Sequence, residues 1–295
     1  MVPKTHKIEH VEFSVADLGR TLDFYLNVVG MVELAREDGT VYLGCGLDDN
    51  WDVAFREGPP RIEHVAFRVD HVDEIDQTAR RLADHGIAVR RCDGTEPGQE
   101  QGIRFTLPSG LDMEYVSVAD KRYPVLAAPA HPRLRGFHPL DLDHIAIQAP
   151  DVSEISRFFL DVLGWKETEH IELNPGSGVW EGAFMRKGSL HHDVTVNSGT
   201  GRLHHWALAL SSFEHLKLAC DTLASAGLAI ELGPGRHLLG GNIFVYYRTP
   251  DGNRLELSLE MAVIDGDMPP KAWHDRSGFD AWGACRPTPE FFIGT

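Results

Sequence analysis

Four short stretches of the chain alternate apolar residues with polar or small ones, and each carries a histidine near its start. They are Ile8-Glu9-His10-Val11-Glu12-Phe13-Ser14-Val15, Ile62-Glu63-His64-Val65-Ala66-Phe67-Arg68-Val69, Leu142-Asp143-His144-Ile145-Ala146-Ile147 and Leu203-His204-His205-Trp206-Ala207-Leu208-Ala209-Leu210. A period of two predicts half-buried strands. In the last stretch Trp206, Leu208 and Leu210 share one face, and His205, Ala207 and Ala209 the other. The first and third stretches are each followed by an aspartate (Asp17, Asp151) and then by helical spacing: Leu22, Phe24, Tyr25 and Leu26 in one copy, Ile155, Phe158, Phe159 and Leu160 in the other. The same number of residues separates His10 from Gly30 and His144 from Gly164, where each helix is expected to end on a glycine C-cap. The second and fourth stretches repeat the device, with helices ending near Gly86 and Gly227.

Each half closes with a proline–glycine turn and a last strand carrying a glutamate, Glu114 or Glu256. The predicted fold class is therefore α+β: four βαβββ modules paired into two curved-sheet domains. One helix per module covers the aliphatic face and leaves an open inner face. The expected boundaries are an N-terminal domain over 1–120, a Pro- and Ala-rich linker over 121–139, a C-terminal domain over 140–261 and a tail over 262–295. The tail carries Trp273, Phe279, Trp282, Phe291 and Phe292 with little periodicity. Packing against the domains is its expected role; a lid over a site or a subunit contact is the functional alternative.

A histidine followed by small inward residues leaves room beside it, which a metal site needs and a packed core does not. His144, His205 and Glu256 fall on the non-aliphatic faces of three predicted strands. Two imidazoles and one carboxylate so placed form a candidate facial triad for non-haem Fe(II). One such histidine alone reads as an ordinary core or surface residue; three at matching positions of a repeat do not. His204 neighbours His205 but is expected on the opposite face, as the less favoured ligand.

Composition narrows the partners. Lys+Arg number 28 against 44 Asp+Glu, for a formal charge of −16. A surface of that sign repels nucleic acid and anionic lipid, so neither is an expected partner. Cys45, Cys92, Cys220 and Cys285 are widely spaced and read as reduced thiols, which fits a cytoplasmic location. The absence of a long apolar run disfavours export and membrane insertion.

The pattern resembles the vicinal oxygen chelate superfamily. Within it the C-terminal half is similar to type I extradiol dioxygenases, near the catechol 2,3-dioxygenases, at His144, His205, Glu256, His192, His237 (in Gly233-Pro234-Gly235-Arg236-His237) and Tyr246. The resemblance implies Fe(II), or Mn(II), held by His144, His205 and Glu256. It also implies a small aromatic diol and O2 as substrates, a hydroxymuconic semialdehyde-type product, and a homo-oligomer. His192 is implied as the acid–base histidine, with His191 left open beside it. His237 and Tyr246 would hydrogen-bond the substrate oxygen. Phe184 and Leu239 are expected to border the pocket, and alternation with Tyr246 puts Arg248 within its possible reach. In the N-terminal half His10, His64 and Glu114 occupy the ligand positions, Arg104 the Tyr246 position, and Gln99 and Glu100 the preceding loop. The resemblance makes these a relic of duplication; a second, non-catalytic metal site is the alternative. Two other activities stay open: a glyoxalase-like isomerase or lyase, and a non-catalytic binding module of the same fold.

Overall fold

A computed structural model describes residues 8–46, 50–118, 135–200, 203–264, 266–283 and 286–295. Most of the expected linker, with Gly201, Arg202 and Cys285, lies outside the described residues. The first module is β1 (Ile8–Val15), α1 (Leu18–Phe24), β2 (Val32–Glu37), β3 (Thr40–Gly44) and β4 (Val53–Glu57). The second is β5 (Arg61–Arg68), α2 (Asp73–Asp84), β6 (Arg90–Arg91), β7 (Gln99–Thr106) and β8 (Asp112–Val118). The third is β9 (Asp141–Ala149), α3 (Val152–Arg157), β10 (Lys166–Ile171), β11 (Gly182–Arg186) and β12 (Val194–Ser198). The fourth is β13 (Leu203–Ala209), α4 (Phe213–Ser225), β14 (Ile230–Arg236), β15 (Ile243–Arg248) and β16 (Arg254–Leu259). Short strands β17 (Lys271–Trp273) and β18 (Trp282–Gly283) follow in the tail. Among the described residues no helix is long and apolar enough to cross a membrane.

Local chemistry explains the helix ends. Asp17 and Asp151 accept the backbone N–H of Arg20 and Glu154 at 2.9 and 3.0 Å, capping α1 and α3. Both helices run on into a π-helical turn, Tyr25–Val29 and Phe158–Val162. The first stops at Gly30, whose φ of +90° no β-carbon would tolerate here, because that carbon would lie 1.8 Å from the Arg135 carbonyl oxygen.

The strands form an eight-stranded sheet, β2-β3-β4-β1-β5-β8-β7-β6, and a ten-stranded sheet, β17-β10-β11-β12-β9-β13-β16-β15-β14-β18. In each half the first strands of the two modules, β1 and β5 or β9 and β13, pair antiparallel at the centre. The tail strands β17 and β18 cover both edges of the larger sheet, which blunts its exposed hydrogen-bonding groups.

The aliphatic faces of the two halves also pack on each other, so among the described residues the largest hydrophobic cluster contains residues of both halves. Trp206 sits at the seam, fully buried, with its ring 5.7 Å from Phe13 and 5.9 Å from Tyr25. Trp165 stands 4.9 Å from Phe67, and its indole N–H donates to the Tyr115 hydroxyl at 2.5 Å. Truncating such an aromatic leaves a cavity that costs about 3–5 kcal/mol. Trp206→Ala should therefore lower stability by that amount in urea unfolding while the halves still melt together. Two separate transitions in the unmutated protein would contradict a shared core.

Candidate metal centre

The inward-facing residues of β9, β13 and β16 meet because of the strand register. Ala146 pairs with His205 across the antiparallel β9–β13 ladder, and Ala207 with Glu256 across the parallel β13–β16 ladder. The two alanines leave the space between the side chains open. His144 Nε2 lies 3.2 Å from His205 Nε2 and 3.2 Å from Glu256 Oε2, and His205 Nε2 lies 2.9 Å from the same oxygen. All three residues are buried. Ligands bound about 2.1 Å from one ion at right angles lie about 3.0 Å apart, so these donor atoms match one face of an octahedron.

The outer nitrogens fix the direction of each lone pair. His144 Nδ1 donates to the Asp143 carboxylate at 2.9 Å, which leaves Nε2 as the inward donor atom. His205 is fixed through its neighbour. His204 Nε2 donates to the Phe291 carbonyl at 2.7 Å, so in the neutral ring His204 Nδ1 accepts. That atom lies 2.7 Å from His205 Nδ1, which must supply the hydrogen, and His205 Nε2 again faces inward unprotonated. Asn242 Nδ2 donates to Glu256 Oε1 at 3.1 Å and holds the oxygen that does not face the imidazoles.

Electrostatics mark the same cluster as a place for positive charge, which a proton on His144 supplies here and which a bound cation would displace. For Glu256, burial disfavours the charged form, but His144 and His205 outweigh it and keep the carboxyl well below the usual range. His144 is pushed up to about 10: burial opposes the charged ring, and Glu256 with Asp143 overcomes it. His205 falls to about 4, chiefly by burial. Both rings are buried beside Glu256, but only His144 has a second carboxylate, Asp143, behind it, so burial is overcome in His144 and prevails in His205.

A cavity of about 530 Å³ opens over this cluster. His192, His237, Tyr246, Phe184 and Leu239 all line it. The His192 ring is 4.6 Å from His144 and 5.3 Å from Phe184, and its basicity is driven well below that of free histidine, first by burial and then by the neighbouring histidines. His237 stacks on Phe244 at 3.9 Å and donates from Nδ1 to the Phe279 carbonyl, so its Nε2, 3.3 Å from the Tyr246 hydroxyl, is the accepting atom.

Three residues differ from the sequence reading. Arg248 points out of this cavity: it donates to the carbonyls of Gly252 and Ile293, lies 3.7 Å from Glu231, and lines a separate groove between the halves. It shares a face with Tyr246 but lies one full pleat away, at the level of Arg254. His191 lies behind the wall, with Nδ1 2.9 Å from His192 Nδ1 and Nε2 3.5 Å from the Glu169 carboxylate. His204 does line the cavity, because a bulge between Leu203 and His205 breaks the alternation that would have turned it away. The sequence reading also missed Asn242 and the tail residues Phe279 and Phe291. Asn242 directly follows a Gly-Gly turn and enters β15, a position with no periodic signal.

Removing a hydrogen-bond partner of a ligand weakens metal binding by roughly ten- to a hundred-fold. Asp143→Asn and His204→Phe should each show a loss of that size in competition with a chelator. Unchanged affinity in both would contradict the tautomer assignment.

Comparison with known proteins places the chain. The family model for the Glyoxalase/Bleomycin resistance protein/Dioxygenase superfamily matches residues 7–115 and 141–257, one match per half. A manganese-dependent 2,3-dihydroxybiphenyl 1,2-dioxygenase from Geobacillus genomosp. 3 is 30% identical over 93% of this chain and 92% of its own length. A metapyrocatechase from Pseudomonas sp. (strain CF600) is 28% identical over 90% and 89%. Among solved structures, homoprotocatechuate 2,3-dioxygenase from Brevibacterium fuscum, in complex with 3,4-dihydroxyphenylacetate, superposes with a TM-score of 0.85 at 25% identity, covering 98% of this chain and 92% of that one. The repeated histidine-led modules, the inward His₂Glu cluster and these likenesses agree: the chain belongs to the Glyoxalase/Bleomycin resistance protein/Dioxygenase superfamily, and its relatives there are extradiol dioxygenases.

Proposed function

We propose that this protein is an extradiol ring-cleaving dioxygenase acting on an uncharged, substituted catechol. The observation that carries the reading is one cavity that joins a three-residue metal donor set to the neutral His192 imidazole and to the His237–Tyr246 pair. The reaction breaks the ring C–C bond beside the diol and leaves both oxygen atoms of O2 in the product, a hydroxymuconic semialdehyde type, so no external reductant is needed. His144, His205 and Glu256 would hold Fe(II) or Mn(II), which would supply the charge that acidifies the diol and would bind diol and O2 together. The donor set suits both ions.

The chain's own groups handle the protons and the ring. Burial keeps His192 uncharged at neutral pH. With its Nδ1 engaged 2.9 Å from His191 Nδ1, His192 keeps Nε2 as the base that takes a diol proton and later returns it. His191 positions His192 in this account. Tyr246 and the accepting Nε2 of His237 sit where the second diol oxygen would be held. Phe184 and Leu239 supply apolar walls, joined by the tail residue Phe291.

The cavity also favours an uncharged substituent. Its polar lining away from the metal includes Gln148, Thr195 and Asn197, which are neutral, and Arg276 is paired with Glu181 at 2.7 Å. A carboxylate-bearing ring would find no unpaired cation there among the described residues. A glyoxalase-like isomerase gives no reason for His192, His237 and Tyr246 to converge, and a binding module gives none for the metal donors.

Protein loaded anaerobically with Fe(II) or Mn(II) should consume O2 and form a yellow ring-fission product from alkyl- or aryl-catechols, with kcat/KM above that for acidic catechols. No uptake across the panel with metal bound would overturn the reading. His192→Phe should cut turnover by roughly a hundredfold or more with metal content unchanged; loss of metal instead would make His192 a ligand.

A further inference from the structure

The N-terminal half contains a second set of donors, three buried and one half-buried, that this reaction does not use. His10, His64, Glu96 and Glu114 each bring one donor atom within 4.8 Å of the others. The strand pairing is the same as in the other half. Glu12 pairs with His64 as Ala146 pairs with His205, and Ala66 with Glu114 as Ala207 with Glu256. The histidine pair is equally close, with His10 Nε2 3.1 Å from His64 Nε2, while Glu114 Oε2 stands farther off, 3.5 Å from His64 Nε2 against 2.9 Å for the equivalent pair. The outer nitrogen of His64 lies 3.1 Å from the Glu12 carboxylate without a hydrogen bond to it, and the His10 ring stacks on Trp51 at 3.8 Å. Glu96, from the turn before β7, adds a carboxylate that the C-terminal cluster lacks, 3.3 Å from His10 Nε2.

A further position sets the two halves apart. Tyr246 lies opposite Glu256 across β15–β16, and Arg104 lies opposite Glu114 across β7–β8. The Arg104 guanidinium donates to both Glu114 and Glu96, and its Nη2 is 3.2 Å from His64 Nε2. It therefore fills the space between the donor atoms. Two buried carboxylates require compensating positive charge, and the guanidinium delivers it. Burial raises Glu96, but His10, His64 and Arg104 outweigh that and hold it far below the usual carboxylate range. Gln99 braces both acids, donating to Glu114 at 2.8 Å and Glu96 at 2.6 Å.

We propose that the N-terminal half is a complete divalent-metal site held closed by Arg104, whose guanidinium takes the place of the cation. The His₂Glu₂ donor set would take Mn(II), Fe(II) or Zn(II) once that side chain is removed, and the unmodified chain takes up metal in its C-terminal half alone.

The test counts Mn(II) per chain after loading and desalting. The wild type should hold one ion, Arg104→Ala two, and Arg104→Ala/Glu114→Gln one again. Manganese should also raise the Tm of Arg104→Ala, relative to chelator, by more than it raises that of the wild type. Adding Glu256→Ala separates the two sites: the ion gained by removing Arg104 must persist when the C-terminal site is lost, whatever reaction the protein performs. Two ions in the wild type, or one in a folded Arg104→Ala, overturn the proposal. Arg104→Gln, neutral and of similar reach, repeats the count if Arg104→Ala does not fold. If neither folds with Mn(II) present, the metal has not replaced the guanidinium and the proposal fails.

Discussion

Glu256 is a carboxylate buried in the middle of a ten-stranded sheet, and much of the structure compensates its charge. An isolated ion in that position would cost several kcal/mol in desolvation. His144 and His205 present one nitrogen each to one of its oxygens, and Asn242 holds the other. The register of β9, β13 and β16 is what brings these side chains from separate strands onto one carboxylate. That register places His192, Tyr246 and His237 around the same opening. Orientation is fixed from behind, by Asp143 for one imidazole and by the His204–Phe291 contact for the other. The tail therefore does more than cover sheet edges: its backbone carbonyls at Phe291 and Phe279 direct hydrogens on His204 and His237.

The two halves solve the same electrostatic problem in different ways. Both bury a glutamate beside two histidines at identical strand pairings. In one the space above is lined by Tyr246, Phe184 and Leu239 and remains a cavity. In the other Arg104 enters it and Trp51 covers a ring. A guanidinium and a metal ion are alternative counter-charges for the same cluster, and the choice between them decides which half has chemistry to offer.

Much of this was legible in the sequence, for a physical reason. Strand alternation and repeat spacing are local, so the four modules, the capped helices and the inward histidines and glutamates could be read directly. The resemblance added His192, His237 and Tyr246, which no periodicity distinguishes. What could not be read depends on contacts between distant segments. A bulge reversed the face expected for His204. Arg248 kept the expected face but was drawn to Glu231 and the tail. His191 turned toward Glu169, far away in the chain. Glu96 reached the N-terminal cluster from a turn, where alternation makes no prediction. Trp206 was assigned to the core, but nothing local says that its partners, Phe13 and Tyr25, belong to the other half.

The most direct test of the account is a crystal structure of the metal-loaded protein soaked anaerobically with an aryl-catechol, with anomalous scattering recorded at the metal edge. The account predicts one peak per chain, between His144 Nε2, His205 Nε2 and Glu256 Oε2. Both diol oxygens should lie on that ion, and the ring should lie against Phe184 with its diol beside His192. A peak among His10, His64 and Glu114, or a catechol bound away from the C-terminal cluster, would contradict it.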